Sequence, residues 1–254
     1  MVDTKQGKLE QAEPEQTQSE QTQSEQAEIA WDENETPVSV HFDDPYYSRH
    51  DGQAETRHVF LTGNGLPERW QNGTGFTIAE LGFGTGLNFF ETMAQWEKHG
   101  QGGHLTYVAF EKFPMPQADL TRALAHWDDL SDTAASLIEQ WPPPPGWSEM
   151  VFGSTTLHLA IGDANALLPT WGGVANAWYL DGFSPAKNPD LWGHELMQAV
   201  AGRTVLGGTF ATFTVAGWVR RNLQAAGFTV GKMPGFGRKR ECLRGRLSAS
   251  PGEG

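Results

Sequence analysis

Cysteine is nearly missing from this 254-residue chain. Cys242 stands alone, which excludes an intramolecular disulfide and any zinc or iron–sulfur cage built from several thiolates, and it is expected to be a buried small hydrophobe. The eight histidines, among them His41, His50, His158 and His194, show neither an HExxH pattern nor tight His/Cys clustering, so no metal site is expected. Long apolar runs are lacking as well. No stretch approaches the roughly 18 apolar residues of a membrane span, and the first residues carry no apolar h-region, so no membrane partner is expected and the expected setting is the cytoplasm. Basic residues are scarce: 18 Lys and Arg stand against 31 Asp and Glu, a formal charge of -13. A total of that sign argues against a nucleic-acid partner.

What is present is unevenly distributed. Residues 1–36 hold two Lys, ten Asp or Glu and a tandem QTQSE at 16–25, a composition that cannot offset its ordering entropy by burial. They are expected to form a disordered acidic tail. Residues 37–202 hold seven basic and nineteen acidic residues, whereas 203–247 hold nine basic residues against Glu241 alone. That local excess reverses the global sign and keeps a phosphate-bearing partner in play.

Residues 37–72 are rich in turns and aromatics and are expected to form an N-terminal extension packing on the core, with HVFLTGNGL as a strand entering a glycine turn. In the main domain, 73–247, the runs FTIAELG, HLTYVAFEK, TTLHLAIGD, VANAWYLDGF and TVLGGTFATF are β-prone, and FTVGK with ECLRGRL supplies two closing strands. Leu87 to Trp96, 116–140, 191–202 and 215–227 have helical spacing, and the four prolines of WPPPPGW stop the second of these. Strands and helices in this alternation predict an α/β fold: a Rossmann-like, mostly parallel sheet with helices on both faces. Residues 248–254 are expected to be a flexible C-terminus.

Gly82, Gly84 and Gly86 in ELGFGTG follow the first β-prone run, where glycines let the backbone turn tightly and pass close to a ligand. As Gly-x-Gly-x-x-Gly the motif fails at Leu87, and no Gly-Lys-Ser/Thr follows it. As Gly-x-Gly-x-Gly it looks like the nucleotide-methionine loop of class I methyltransferases, the alternative being a turn with glycines kept for packing. Three acids end later strands. Glu111 is placed to meet ribose hydroxyls, Asp163 to accept from an adenine amino group or to cap the following helix, and Asp181, in YLDGF, is the candidate reacting-centre carboxylate.

ELGFGTGLNF (80–89), FEKFP (110–114), GDA (162–164), LDGFSPAKNPDLW (180–192) and ETRHVFLTGN (55–64) closely resemble the methyltransferase family that completes 5-methylaminomethyl-2-thiouridine at the wobble position of bacterial tRNAs. The resemblance covers roughly 38–247. It implies a class I S-adenosylmethionine-dependent methyltransferase that transfers methyl to the primary amine of a 5-aminomethyl group on uridine-34, with the tRNA anticodon arm as partner. It also implies cofactor contacts from Glu80, Gly82, Gly84, Gly86, Asn88, Glu111 and Asp163, and Asp181 as the group that orients the amine and takes up its growing positive charge. The family exists alone or fused to an FAD-dependent oxidoreductase. No FAD is expected within these residues, the oxidoreductase would be a separate or removed domain, and the expected state is a monomer.

Substrate contacts are expected from Tyr46 and Tyr47, which alternatively anchor the extension by packing. Phe183 suits an aromatic wall of a uracil pocket or plain packing, and Lys187 suits a backbone or phosphate contact or simple exposure. Arg238, Lys239 and Arg240 are expected to attract the tRNA backbone. Two other functions compatible with the same residues are a small-molecule amine methyltransferase and a noncatalytic tRNA-binding module. A nicotinamide oxidoreductase is disfavoured by the glycine frame and by DGFSPAKNPD.

Overall fold

The computed structural model describes residues 25–48, 51–70, 75–127 and 130–248. It begins with three short antiparallel strands, β1 (Ile29–Trp31), β2 (Pro37–Ser39) and β3 (Asp44–Pro45). The expected tail of residues 1–36 is therefore corrected at its end, since β1 lies inside it; residues 1–24 lie outside the described residues. Two apolar side chains in an acidic stretch suffice. Ile29 and Trp31 pack on the core, Trp31 Nε1 donates to Asp119 Oδ1 at 3.0 Å, and the Arg122 guanidinium lies 4.0 Å over the Trp31 ring.

The strand expected at HVFLTGNGL is helical. A short helix, α1 (Gly52–Glu55), runs directly into a π-helical stretch, Thr56–Leu61, and a 3-10 turn, Thr62–Asn64, that Gly65 closes at a φ of 68°. Val59, Phe60 and Leu61 are consecutive and all buried, which a strand with one wet face does not allow. Asn64 Nδ2 locks the turn by donating to Phe60 O and to Trp178 O, at 2.9 and 3.1 Å.

Then follow β4 (Phe76–Leu81), α2 (Leu87–His99), β5 (Leu105–Glu111), α3 (Gln117–Leu124), α4 (Ser131–Ile138), β6 (Gly146–Phe152), β7 (Thr155–Ile161) and α5 (Ala164–Leu167). The chain closes with β8 (Ala175–Leu180), α6 (His194–Gly202), β9 (Thr204–Thr212), α7 (Gly217–Ala225), β10 (Phe228–Pro234) and β11 (Glu241–Leu247). The helix expected over 116–140 is thus two, α3 and α4. Strand β6, which the sequence reading lacked, starts just after the prolines and pairs antiparallel with β7.

The main sheet has the order β10-β11-β9-β8-β4-β5-β7-β6, parallel from β9 to β7 and antiparallel at both edges. Its central strands are buried on both faces, and alternation sorts their side chains. Ile78, Tyr107, Ala109, Ala177 and Tyr179 join the core beneath α2, α3 and α4. Ala79, Leu81, Val108, Phe110, Trp178 and Leu180 join the core beneath α5, α6 and α7, and Cys242, buried as expected, sits on the opposite face of β11 from Leu243 of that core. The chain leaves β4 toward β5 and β7, then returns to β8 and β9 on the other side. That reversal opens a crevice at the carboxyl ends of β4 and β8, where ligands of such sheets bind.

Candidate methyltransferase active site

The crevice is a cavity of about 1150 Å3 lined by the ends of β4, β5, β7 and β8 and by the segment 41–48. Gly82, Gly84 and Gly86 lie in its wall or just behind it with φ of 81°, 56° and 76°. At Gly82 a Cβ would stand 2.8 Å from Gly182 Cα, so the β4 and β8 ends meet backbone to backbone. At Gly84 it would stand 3.3 Å from the Tyr46 ring, which lies over the bare loop.

Glu111 closes β5 beside this loop. Its Oε2 accepts from Gly84 N and its Oε1 from Phe113 N, both at 2.8 Å, and the Lys112 backbone adds a third donor, so the carboxylate keeps spare acceptor capacity for a ligand. Burial raises its pKa above the usual carboxylate value, against the pull of those backbone donors. Asp163 caps α5, accepting from Asn165 N at 2.9 Å, and also lines the cavity. Burial acts to raise its pKa, but Lys112 at 2.8 Å and Asn165 outweigh it and hold the carboxyl below its ordinary value.

Asp181 follows β8 at the other end of the cavity. Burial pushes its pKa up to about 7, the nearby Glu55 carboxylate adding to the rise and Asn88 and Lys239 opposing it. One amide group holds it. Asn88 Nδ2 donates to Asp181 Oδ2 and to Glu80 Oε1, both at 2.7 Å, while Thr56 Oγ1 donates to Asn88 Oδ1 at 2.6 Å and so fixes which end of the amide faces the acids. Glu80, expected to bind the cofactor, is 0% exposed with its second oxygen taken by Tyr107 OH at 3.0 Å. It stands behind the cavity wall and cannot touch a ligand, and burial together with Asp181 drives its pKa well up. Asn88 reaches the wall, but its amide is spent on Thr56, Glu80 and Asp181, so it positions acids and does not bind the cofactor through that group.

The expected substrate contacts divide. Phe183 stacks on Phe42 at 4.6 Å between centroids and meets Tyr46 edge-on at 5.1 Å, an aromatic wall inside the cavity. Tyr47 lines the cavity but also packs edge-on against Trp127, so it anchors the extension. Lys187 is engaged with Asp43, at 3.0 Å from Oδ2, and Ser184 N donates to Asp44 Oδ2 at 2.8 Å. These contacts bolt the extension to the loop after Asp181. Lys187 is therefore a structural tie in this structure, where a backbone or phosphate contact or simple exposure was expected. Arg238 is exposed at the mouth and Arg240 is exposed beyond it, whereas Lys239 turns inward to Glu55 at 3.3 Å. Sequence reasoning missed Phe42, Glu55, Thr56 and Phe213; each reaches the site from a distant segment, and only Glu55 and Thr56 stood in a motif, ETRHVF, that had been noticed.

The family described as S-adenosyl-L-methionine-dependent methyltransferase matches residues 128–248. The tRNA 5-methylaminomethyl-2-thiouridine biosynthesis bifunctional protein MnmC of Chromohalobacter salexigens is 48% identical over 233 residues, 88% of this chain and 33% of that protein. Its namesake from Methylobacillus flagellatus is 49% identical over 229 residues, 87% of this chain and 35% of the other. The chain thus spans about a third of the length of these relatives. The crystal structure of MNMC2 from Aquifex aeolicus superposes with a TM-score of 0.72 at 22% identity over 91% of this chain and 73% of that one, which shows the shared fold. With the glycine turn and three strand-end acids around one crevice, the chain has the class I S-adenosyl-L-methionine-dependent methyltransferase fold, matches that family over residues 128–248 and is similar to these tRNA biosynthesis proteins over most of its length.

Proposed function

We propose that this chain methylates the primary amine of a 5-aminomethyl group on wobble uridine-34 of tRNA, giving 5-methylaminomethyl-(2-thio)uridine. The observation that carries the proposal is Asp181, a carboxylate whose pKa lies at about 7 in the wall of the same cavity as the nucleoside-binding acids. The residues present fit S-adenosyl-L-methionine: Gly82 and Gly84 bring no Cβ to the loop, and Glu111 and Asp163 offer acceptors at neighbouring strand ends. When bound, S-adenosyl-L-methionine supplies a methyl carbon already made electrophilic by its sulfonium.

Glu111 holds ribose hydroxyls and Asp163 an adenine amino group, and the glycine loop gives the methionine portion room. The acceptor amine arrives as an ammonium and must lose a proton before its lone pair can attack. Asp181, with a pKa near neutrality, accepts that proton and hydrogen-bonds the neutral amine so that its lone pair faces the donor. As the new N–C bond forms, the carboxyl group lies beside the positive charge that returns to nitrogen. Phe42, Phe183 and Tyr46 wall the space next to Asp181, where a base extruded from the anticodon stack would lie. Arg238 and Arg240 attract the anticodon-arm backbone at the mouth.

No helix among the described residues is long and apolar enough to cross a membrane. The reading places the chain in the cytoplasm as a monomer, with no FAD among these residues and the oxidoreductase step on another domain or chain. Incubating the purified chain with methyl-labelled S-adenosyl-L-methionine and tRNA bearing 5-aminomethyluridine tests the proposal. Label is expected in that nucleoside on digestion; a folded, donor-binding protein that leaves it unlabelled overturns the assignment.

A further inference from the structure

The transfer chemistry above gives no role to Glu55, a charged group that lines the cavity. Glu55 ends α1, just where the helix loosens into the π-helical stretch, and its side chain is only 16% exposed. Widened turns of this kind re-aim side chains and are frequent at functional sites. Its Oε1 lies 3.3 Å from Lys239 Nζ, and the same ammonium stands 4.2 Å from the centroid of the Phe213 ring. Glu55, Phe213 and Lys239 all line the cavity that holds Asp181.

An ion pair on a surface is commonplace and worth little. This one differs in three respects. The carboxylate is largely withdrawn from solvent, an aromatic face supplies a second attraction for a cation, and both face the cavity. The group they hold is a methylene-linked primary ammonium, the same chemical group that the proposed acceptor presents. Lys239 itself extends from the turn between β10 and β11 and keeps half its side chain in solvent, so it can leave.

We propose that Glu55 and the Phe213 ring face form the binding site for the acceptor's aminomethyl ammonium, and that Lys239 occupies this site until the acceptor displaces it. The inference rests on the methyl-transfer reading of the cavity and deepens it. Glu55 receives the cation and Asp181 then removes its proton, so recognition and deprotonation fall to different carboxylates. Lys239 keeps Glu55 from standing uncompensated in the empty cavity.

The test compares two fluorescein-labelled anticodon stem-loops, one with 5-aminomethyluridine at position 34 and one with plain uridine, binding to the full chain by anisotropy. The wild type is expected to prefer the aminomethyl form by about tenfold, the scale of one hydrogen-bonded charge pair. Glu55→Gln is expected to bring that ratio close to one; a ratio left at the wild-type value overturns the proposal. Lys239→Met is expected to raise the ratio, because the competing ammonium is gone and the plain loop binds as before. If Lys239→Met instead weakens both loops equally, Lys239 is a phosphate contact and the proposal fails. Label transfer by the wild type, measured separately, distinguishes failure of this inference from failure of the methyl-transfer reading.

Discussion

The two ends of the cavity stabilise negative charge in opposite ways. At the nucleoside end, Glu111 has both oxygens tied to backbone N–H groups, and Asp163 is held low by Lys112 and Asn165. At the acceptor end, Asp181 has one side-chain amide donor and a second carboxylate for a neighbour, and its pKa climbs to about 7. One end therefore presents carboxylates held by hydrogen-bond donors, Glu111 raised by burial and Asp163 lowered by Lys112 and Asn165, while the other holds a group poised to exchange a proton. The difference lies in the charged neighbours: the Lys112 ammonium beside Asp163 at one end, the Glu55 carboxylate near Asp181 at the other.

The sharpest way to break this contrast is Asp181→Asn. It is expected to lower kcat by about 10²- to 10³-fold while the dissociation constant for S-adenosylhomocysteine, measured by calorimetry, stays within about twofold. The rise of the wild-type rate with pH through about 7 is expected to disappear with it. The same variant tests stability. Folding raises this pKa, so the stabilising contribution is complete below about pH 4 and is lost as pH climbs through 7. Thermal melts of Asp181→Asn are expected to lack that decline, worth no more than about 4 kcal/mol.

Next in size is Glu111→Ala, expected to weaken S-adenosylhomocysteine binding by about 10- to 100-fold while kcat at saturating donor changes little. An equal fall in kcat would mean that the two ends do not divide their work. Gly84→Ala sharpens the comparison from the backbone side. A methyl group at φ of 56° and 3.3 Å from Tyr46 is expected to cost about 1 kcal/mol of stability and several-fold in donor affinity, read by melting and calorimetry. Lys187→Met should do least. Its ion pair with Asp43 is half in solvent, so the loss is expected to stay below about 1 kcal/mol and to vanish in high salt.

How much of this was legible in the chain follows from how local each feature is. The strand-to-helix glycine turn and the acids Glu111, Asp163 and Asp181 are punctuation at the ends of parallel strands, and a short window of sequence contains the whole signal. Strand β1 was not legible, because three residues among acids carry no period and are held by Asp119 and Arg122 far along the chain. HVFLTGNGL was misread because a buried helical turn and a buried strand have the same apolar composition. Glu80 was a cofactor residue only by the family resemblance, and strand alternation turns it toward Tyr107. Lys239 looked like one member of a basic run, and its partner Glu55 lies 184 positions away.

The contact between Gly82 and Gly182 reaches further than its place in the wall suggests. Gly82 opens the donor loop and Gly182 directly follows Asp181, and they touch without an intervening side chain; a Cβ at Gly182 would in turn stand 2.4 Å from Leu191. On the proposed function, the loop that receives the methyl donor and the residue after Asp181 are therefore set side by side by two abutting main chains, a spacer with no side chain to trim.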